Sequence, residues 1–283
     1  MFYEAPWANQ GGWHWKQLLR MNVLRRPMSG PTGRRAIVRG VPSTYDQCIR
    51  TNKDVPIDID LARRQHAAYC NALRDAGLRL VSIEPDDRYP DCCFVEDTAI
   101  VVGERAIISR MASESRKGEI EGVREILRLF KLVHDVRPPG TIDGGDVQVI
   151  DNKIFIGVSE RTSTEAIIHV EELVSDAGYE VVPVELSGIL HLKSAVTYLG
   201  NGCVVMYSGH FDKRLFAEYK QIHVPKGDEY AANCLAVNGK VLMSKGFPGT
   251  RNLIKGEGFD LMELETTEFR KGDGSLTCLS IIL

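Results

Sequence analysis

The chain has 283 residues, 43% of them apolar and 26% charged, with a formal net charge of −3. That length supports a full hydrophobic core, and the near-neutral balance offers no field for nucleic acid or an anionic membrane. No apolar run approaches the roughly 20 residues of a membrane span, and the seven scattered cysteines provide no disulfide or zinc framework, which points to a reducing, cytoplasmic setting.

Residues 1–33 differ from the rest. Up to residue 35 the chain carries Lys16, Arg20, Arg25, Arg26, Arg34 and Arg35 against Glu4 alone, together with all three tryptophans. This reads as an extension of unknown role that packs its aromatics on a single domain spanning 34–283. A secretory signal is disfavoured, because the apolar stretch 18–24 is short and interrupted by Arg20.

From residue 36 the chain repeats one pattern: strand, turn, strand, amphipathic helix, strand. The first unit has a strand at Ala36–Arg39 and a helix near 60–76, with Tyr69, Ala72, Leu73 and Ala76 on one stripe. Gly77 ends that helix, and a strand follows over Leu78–Ile83. The second pairs Thr98–Val102 with Ala106–Ile108 across Gly103-Glu104, then a helix carrying Ile120, Val123, Ile126, Leu127 and Phe130. The third pairs Val147–Ile150 with Ile154–Ile156, and its helix bears Ala166, Ile167, Val170, Leu173, Val174 and Ala177 before Gly178. A shorter fourth unit runs from Ala195 to Val224. The fifth spans Cys234–Leu264, with an Asn238-Gly239 hairpin. Five like units predict an α/β propeller of ββαβ repeats, closed by the helix-less last strand pairing with the first unit.

Reactive side chains recur with the repeat. Asp97, Asp143, His191, Cys234 and Cys278 stand 46, 48, 43 and 44 residues apart, each near the start of a unit's first strand. Arranged about an axis, they would meet at one end of it. Taken singly, a cysteine is more often a small buried hydrophobe and an Asp-Gly pair a turn. Their common phase favours the joint, catalytic reading.

The motifs Asp91-Cys92-Cys93-Phe94-Val95-Glu96-Asp97, Ile142-Asp143-Gly144-Gly145-Asp146-Val147, His191-Leu192-Lys193-Ser194 and Asp273-Gly274-Ser275-Leu276-Thr277-Cys278 resemble the dimethylarginine dimethylaminohydrolase family. They occur in order over about 34–283. The resemblance implies the five-bladed pentein fold of the guanidino-group-modifying, amidinotransferase superfamily. It also implies hydrolysis of Nω-methylated arginines to citrulline and methylamine or dimethylamine through a cysteine thiouronium. Cys278 would be the nucleophile, His191 the general acid and base, and Asp143 the group orienting the imidazole. Glu96 and Asp97 would hold the guanidinium, although neighbours on a regular strand point to opposite faces. Arg110 and Arg161 would bind the substrate α-carboxylate. Asp91, with main-chain carbonyls near Ile49 and Gly272, would bind the α-amino group, and Phe94 would line the pocket. Gly272 departs from the family's usual apolar residue, and the lid region over residues 41–50 resembles it only in part.

The resemblance implies no cofactor and no resident metal, and the sequence holds no zinc-ligand motif; adventitious zinc on Cys278 and His191 would inhibit. The expected partner is a small arginine derivative, with neither nucleic acid nor membrane, and a homodimer is compatible. An arginine deiminase or an amidinotransferase is the nearest alternative. The former is disfavoured by Lys193 standing where deiminases carry an acid two residues after the histidine. A non-catalytic propeller would not need the Cys-His-Asp set.

Overall fold

A computed structural model of the chain describes residues 34–283 and, before them, the strand β1 (Trp13–His14). The packing expected of the tryptophans in 1–33 lies outside the described residues. Five small sheets are present. The first holds β2 (Arg35–Arg39) and β3 (Arg79–Ile83), parallel and joined by α1 (Ile59–Asp75). The second holds β4 (Ala99–Val102), β5 (Arg105–Ile108) and β6 (Leu132–Asp135), with α2 (Ile120–Leu127) before β6. The third holds β7 (Val147–Ile150), β8 (Lys153–Val158) and β9 (Glu180–Glu185), with α3 (Thr164–Val174) before β9. The fourth holds β10 (Val196–Gly200), β11 (Cys203–Met206) and β12 (Lys220–His223), and a 3-10 turn at Lys213–Phe216 replaces its helix. The fifth holds β13 (Leu235–Val237), β14 (Lys240–Ser244) and β15 (Asp260–Leu264), with α4 (Pro248–Gly256) before β15 and α5 (Thr267–Lys271) after it.

In sheets two to five the middle strand runs antiparallel to the first and parallel to the third. The first sheet completes the same plan with the last strand of the chain. There β16 (Ile281–Ile282) pairs antiparallel with β2, Ile281 opposite Ile37, and β1 adds a parallel edge outside β3. The middle strands are almost wholly apolar because both their faces are covered. The buried core also falls into five clusters, each shared by two neighbouring sheets, including one between the fifth and the first. The blades therefore form a closed ring, the propeller expected from the repeat.

Local signals act as their chemistry requires. Asp58 and Ser163 accept hydrogen bonds from the backbone N–H of Leu61 and Ala166 at the starts of α1 and α3. Gly77 and Gly178 follow these helical segments at φ 86° and 80°, and Asn238 and Gly239 both have positive φ at their hairpin. One helix is shorter than expected. α2 stops at Leu127, where Leu129 and Phe130 bond back three residues to Ile126 and Leu127. Phe130 thus packs beyond the helix, under the Arg35 guanidinium.

What positions the site is the approach to each first strand. A 3-10 turn precedes every one: Val95–Thr98, Gly144–Asp146, Leu192–Ser194, Glu229–Ala232 and Thr277–Leu279. These five turns gather at one end of the ring, the first touching the second and fifth, the second touching the third, and the third touching the fourth.

Candidate active site

A cleft of about 710 Å³ opens over these turns, lined among others by Ile49, Asp91, Phe94, Asp97, Arg161, His191, Gly272 and Cys278. A chamber of about 60 Å³ adjoins it, where Glu96 joins His191 and Cys278. Asp143 stands behind His191, fully buried, with Oδ2 3.2 Å from His191 Nε2.

The turns explain how adjacent acids serve one site. Glu96 and Asp97 lie in a 3-10 turn rather than on a strand, so the alternation of a pleated strand does not separate them. Asp97 accepts from Arg116 Nη1 at 2.8 Å and from the backbone N–H of Gly145 at 3.1 Å. Glu96 is met by Lys193 Nζ at 2.5 Å and by Thr277 Oγ1 at 2.8 Å. Gly145 has no room for a side chain: a Cβ there would stand 2.7 Å from His191 Nδ1 and 2.8 Å from Asp97 Oδ1. At Gly144 it would stand 2.1 Å from the Glu96 carbonyl oxygen. The Gly-Gly pair lets two catalytic blades touch.

His191 is held by its neighbours on both sides. Asp146, itself fully buried, accepts from the Leu192 backbone N–H at 3.0 Å and from Ser159 and Thr162 hydroxyls at 2.6 Å each. Burial works against an imidazolium here, but the charge of Asp97, the Asp143 hydrogen bond and the charge of Asp146 outweigh it, raising the pKa to about 9. Cys278 sits in its turn with Sγ accepting the Ser275 N–H at 3.5 Å. Burial, then the charges of Glu96 and Asp97, pushes its pKa up to about 12. Near neutral pH both shifts favour a protonated thiol beside an imidazolium.

On the cleft wall, both Asp91 oxygens accept from the Ile49 backbone N–H, at 3.1 and 3.2 Å. Burial raises the Asp91 pKa. Gly272 is fixed as glycine because a Cβ would lie 2.5 Å from Tyr45 Oη, and Phe94 both lines the cleft and belongs to the core beneath it.

Arg110 requires a correction. Its Nη1 donates to the carbonyls of Pro139 and Gly140, at 3.0 and 3.2 Å, and it does not line the cleft. Arg50, Arg116, Arg161 and Arg270 do line it, and of these Arg116 is buried and bonded to Asp97, Glu119 and the Phe94 carbonyl. In sequence, Arg116 and Glu119 look like an ordinary exposed i,i+3 pair, and only the fold shows that pair inside. Asn233 was also missed. It lies one residue before Cys234, lines the chamber, and bonds to Lys193 and Thr277. Cys234 itself turns into the core and donates to the Ala231 carbonyl at 3.3 Å.

Ligand atoms of Asp97, Asp143 and His191 lie within 4.8 Å of one another. That spacing would suit a cation, but Arg116 already bonds to Asp97 and His191 to Asp143, so the trio is engaged in holding an imidazolium. Among the described residues, no helix is long and apolar enough to cross a membrane.

The chain is similar to several known proteins. Residues 43–237 match the family model described as "N,N dimethylarginine dimethylhydrolase, eukaryotic". The chain is 34% identical over 226 residues to N(G),N(G)-dimethylarginine dimethylaminohydrolase of Pseudomonas aeruginosa, covering 79% of this chain and 89% of that one. A solved structure of the P. aeruginosa enzyme, a cysteine-to-serine mutant complexed with citrulline, superposes with a TM-score of 0.86 at 31% identity, over 89% of this chain and all of the other. The N-terminal domain of ArgZ, a cyanobacterial arginine dihydrolase, matches with a TM-score of 0.81 over 88% of this chain and 97% of its own; at 20% identity this likeness concerns the fold alone. The chain belongs to the dimethylarginine dimethylaminohydrolase family.

Proposed function

We propose that the protein hydrolyses the guanidino C–N bond of Nω-methylated arginines, giving citrulline and methylamine or dimethylamine, and that residues 34–283 form its single catalytic domain. The supporting observation is the convergence of Cys278, the His191–Asp143 pair and the Glu96–Asp97 turn on one cleft. A guanidinium is resonance-stabilised, so attack on its central carbon requires a strong nucleophile and a proton for the departing amine.

In this reading the substrate cation settles beside Glu96 and Asp97 and offsets the negative charge that helps keep the thiol protonated. The thiol proton leaves to solvent and Cys278 Sγ bonds to the guanidino carbon. His191 gives its proton to the methylated nitrogen, the C–N bond breaks, and the amine departs from an S-alkylthiouronium. Neutral His191 then takes a proton from water, and the hydroxide attacks the same carbon. The C–S bond breaks with its electron pair going to Cys278 Sγ, the hydroxyl proton of the adduct passes to that thiolate and restores the thiol, and citrulline is released. Asp143 stabilises each imidazolium that forms. Arg161 and Arg116 face the substrate carboxylate, and Asp91 with the Ile49–Gly272 backbone faces its ammonium.

Steady-state kinetics on arginine, monomethylarginine and asymmetric dimethylarginine, with citrulline measured, test the proposal. The expected result is a preference for the methylated substrates of about tenfold, the worth of two buried methyl groups at about 0.8 kcal/mol each. Equal turnover of arginine would make the protein a deiminase on this scaffold.

A further inference from the structure

We infer that Lys193 is a specificity-determining residue, which selects methylated over unmethylated guanidinium by occupying Glu96 before the substrate arrives. The inference rests on the activity proposed above and explains its substrate preference.

Glu96 is clamped from both sides. Lys193 Nζ meets Oε1 at 2.5 Å and Thr277 Oγ1 meets Oε2 at 2.8 Å. The two clamping residues are joined through Asn233. Its Nδ2 donates to the Lys193 carbonyl and to Thr277 Oγ1, each at 3.0 Å, and its Oδ1 accepts the Thr277 N–H at 3.1 Å. The Lys193 and Glu96 side chains are each 12% exposed, so neither charge is freely solvated. The clamp forms one wall of the 60 Å³ chamber beside Cys278. That space exceeds the roughly 10–15 Å³ a single water requires, and it suits a small alkylated nitrogen.

An unmethylated guanidinium nitrogen gains most where a buried carboxylate lacks donors, because its N–H groups then end a costly vacancy. Here the ammonium and the hydroxyl have already filled that need. Arginine loses its advantage at this wall, and a nitrogen carrying methyl groups in place of N–H loses little. Removing the ammonium reverses the balance. A free Oε1 beside the chamber would need a donor, which arginine has and the dimethylated nitrogen does not. The other charged or titratable groups around Glu96 are Asp97 in the same turn and His191, Asp273, Tyr230 and Cys278, which line the same chamber.

The test compares wild type with Lys193→Met, which keeps the stem but removes charge and donors, and with Lys193→Arg, which keeps both. Circular dichroism and thermal unfolding confirm that each variant folds. In Lys193→Met the ratio of kcat/KM for asymmetric dimethylarginine to that for arginine is expected to fall by about tenfold, the equivalent of one buried charged hydrogen bond. The change should appear chiefly as a lower KM for arginine, and Lys193→Arg should restore the ratio. The acid limb of kcat/KM should also move to higher pH, because the Cys278 thiol, already raised by burial and by the charges of Glu96 and Asp97, loses an ammonium that lowers it. If wild type favours methylated substrates and Lys193→Met keeps that ratio and pH profile, Lys193 is only a structural tie and this inference falls alone. If wild type favours arginine, the proposed substrate falls, and this inference with it.

Discussion

Cys234 and Cys278 stand at the entry to the first strands of adjacent blades, Cys234 two residues after its 3-10 turn and Cys278 within its own. Burial pushes both thiols up to about 12. Their surroundings are opposite. Cys234 is raised by burial alone, and its Sγ is spent on the Ala231 carbonyl amid the apolar cluster of the fourth and fifth blades. Cys278 is raised also by the charges of Glu96 and Asp97, and its Sγ accepts an N–H at the edge of the cleft. A cation bound beside Glu96 and Asp97 would oppose the part of the Cys278 rise that those charges cause, and Cys234 has no such charged neighbours. The proposed nucleophile and the core cysteine therefore differ in what the neighbouring blade presents as well as in their place beside the turn.

The largest expected effect tests that separation directly. Cys278→Ser should abolish citrulline formation by several orders of magnitude, since an alkoxide at this site has no base to create it. Cys234→Ser should leave kcat/KM within a few fold and lower stability by about 1–3 kcal/mol, the cost of an added buried polar atom that is imperfectly bonded. Parallel citrulline assays and denaturant unfolding check both. The comparison breaks if Cys234→Ser is the inactive variant.

The phase of the reactive residues was legible because a repeat of this length fixes where each blade enters the ring. The Gly-cap and Asn-Gly turns were legible because few residues adopt positive φ. The direction each side chain takes from its turn was not legible. Glu96 and Asp97 seemed to conflict only while they were placed on a strand. Arg116 was hidden because an Arg–Glu pair spaced for a helix normally faces water, and Asn233 because the thiol beside it drew the eye. Arg110 was selected on an approximate motif position, and the fold turns it to the Pro139 and Gly140 carbonyls.

A second measurement sharpens the role of the turns. Gly145→Ala would place a methyl 2.7 Å from His191 Nδ1, so the imidazole or the turn must shift. A displacement of that kind costs about 100-fold in rate. It should lower kcat far more than it raises KM, with the substrate carboxylate end untouched.

The charge balance at Cys278 also makes a pH prediction. The reactive form carries one proton shared between thiol and imidazole, as thiolate and imidazolium, but the free enzyme below about 9 carries two. On kcat/KM, activity should therefore climb about tenfold per pH unit towards 9. Bound guanidinium lowers the thiol's pKa by opposing the Glu96 and Asp97 charges, so the acid limb of kcat should lie at lower pH than that of kcat/KM. Coincident limbs would mean that the cation does not release this thiol.

The smallest effect concerns two arginines that the sequence treated alike. Arg161 lines the cleft, and Arg110 serves the Pro139–Gly140 backbone instead. Under the proposed function, Arg161→Ala removes a partner of the substrate carboxylate. That partner contributes to ground and transition state alike, so its loss should raise KM by about tenfold with kcat nearly constant. A simultaneous fall in kcat would show that carboxylate binding also positions the guanidino carbon over Cys278 Sγ. Arg110→Ala should leave KM unchanged and cost about 1 kcal/mol of stability through its lost backbone hydrogen bonds. Measuring KM for asymmetric dimethylarginine alongside the unfolding midpoint separates the two roles. A KM increase from Arg110→Ala equal to that from Arg161→Ala would return Arg110 to the substrate site and show that the 139–140 segment rearranges when substrate binds.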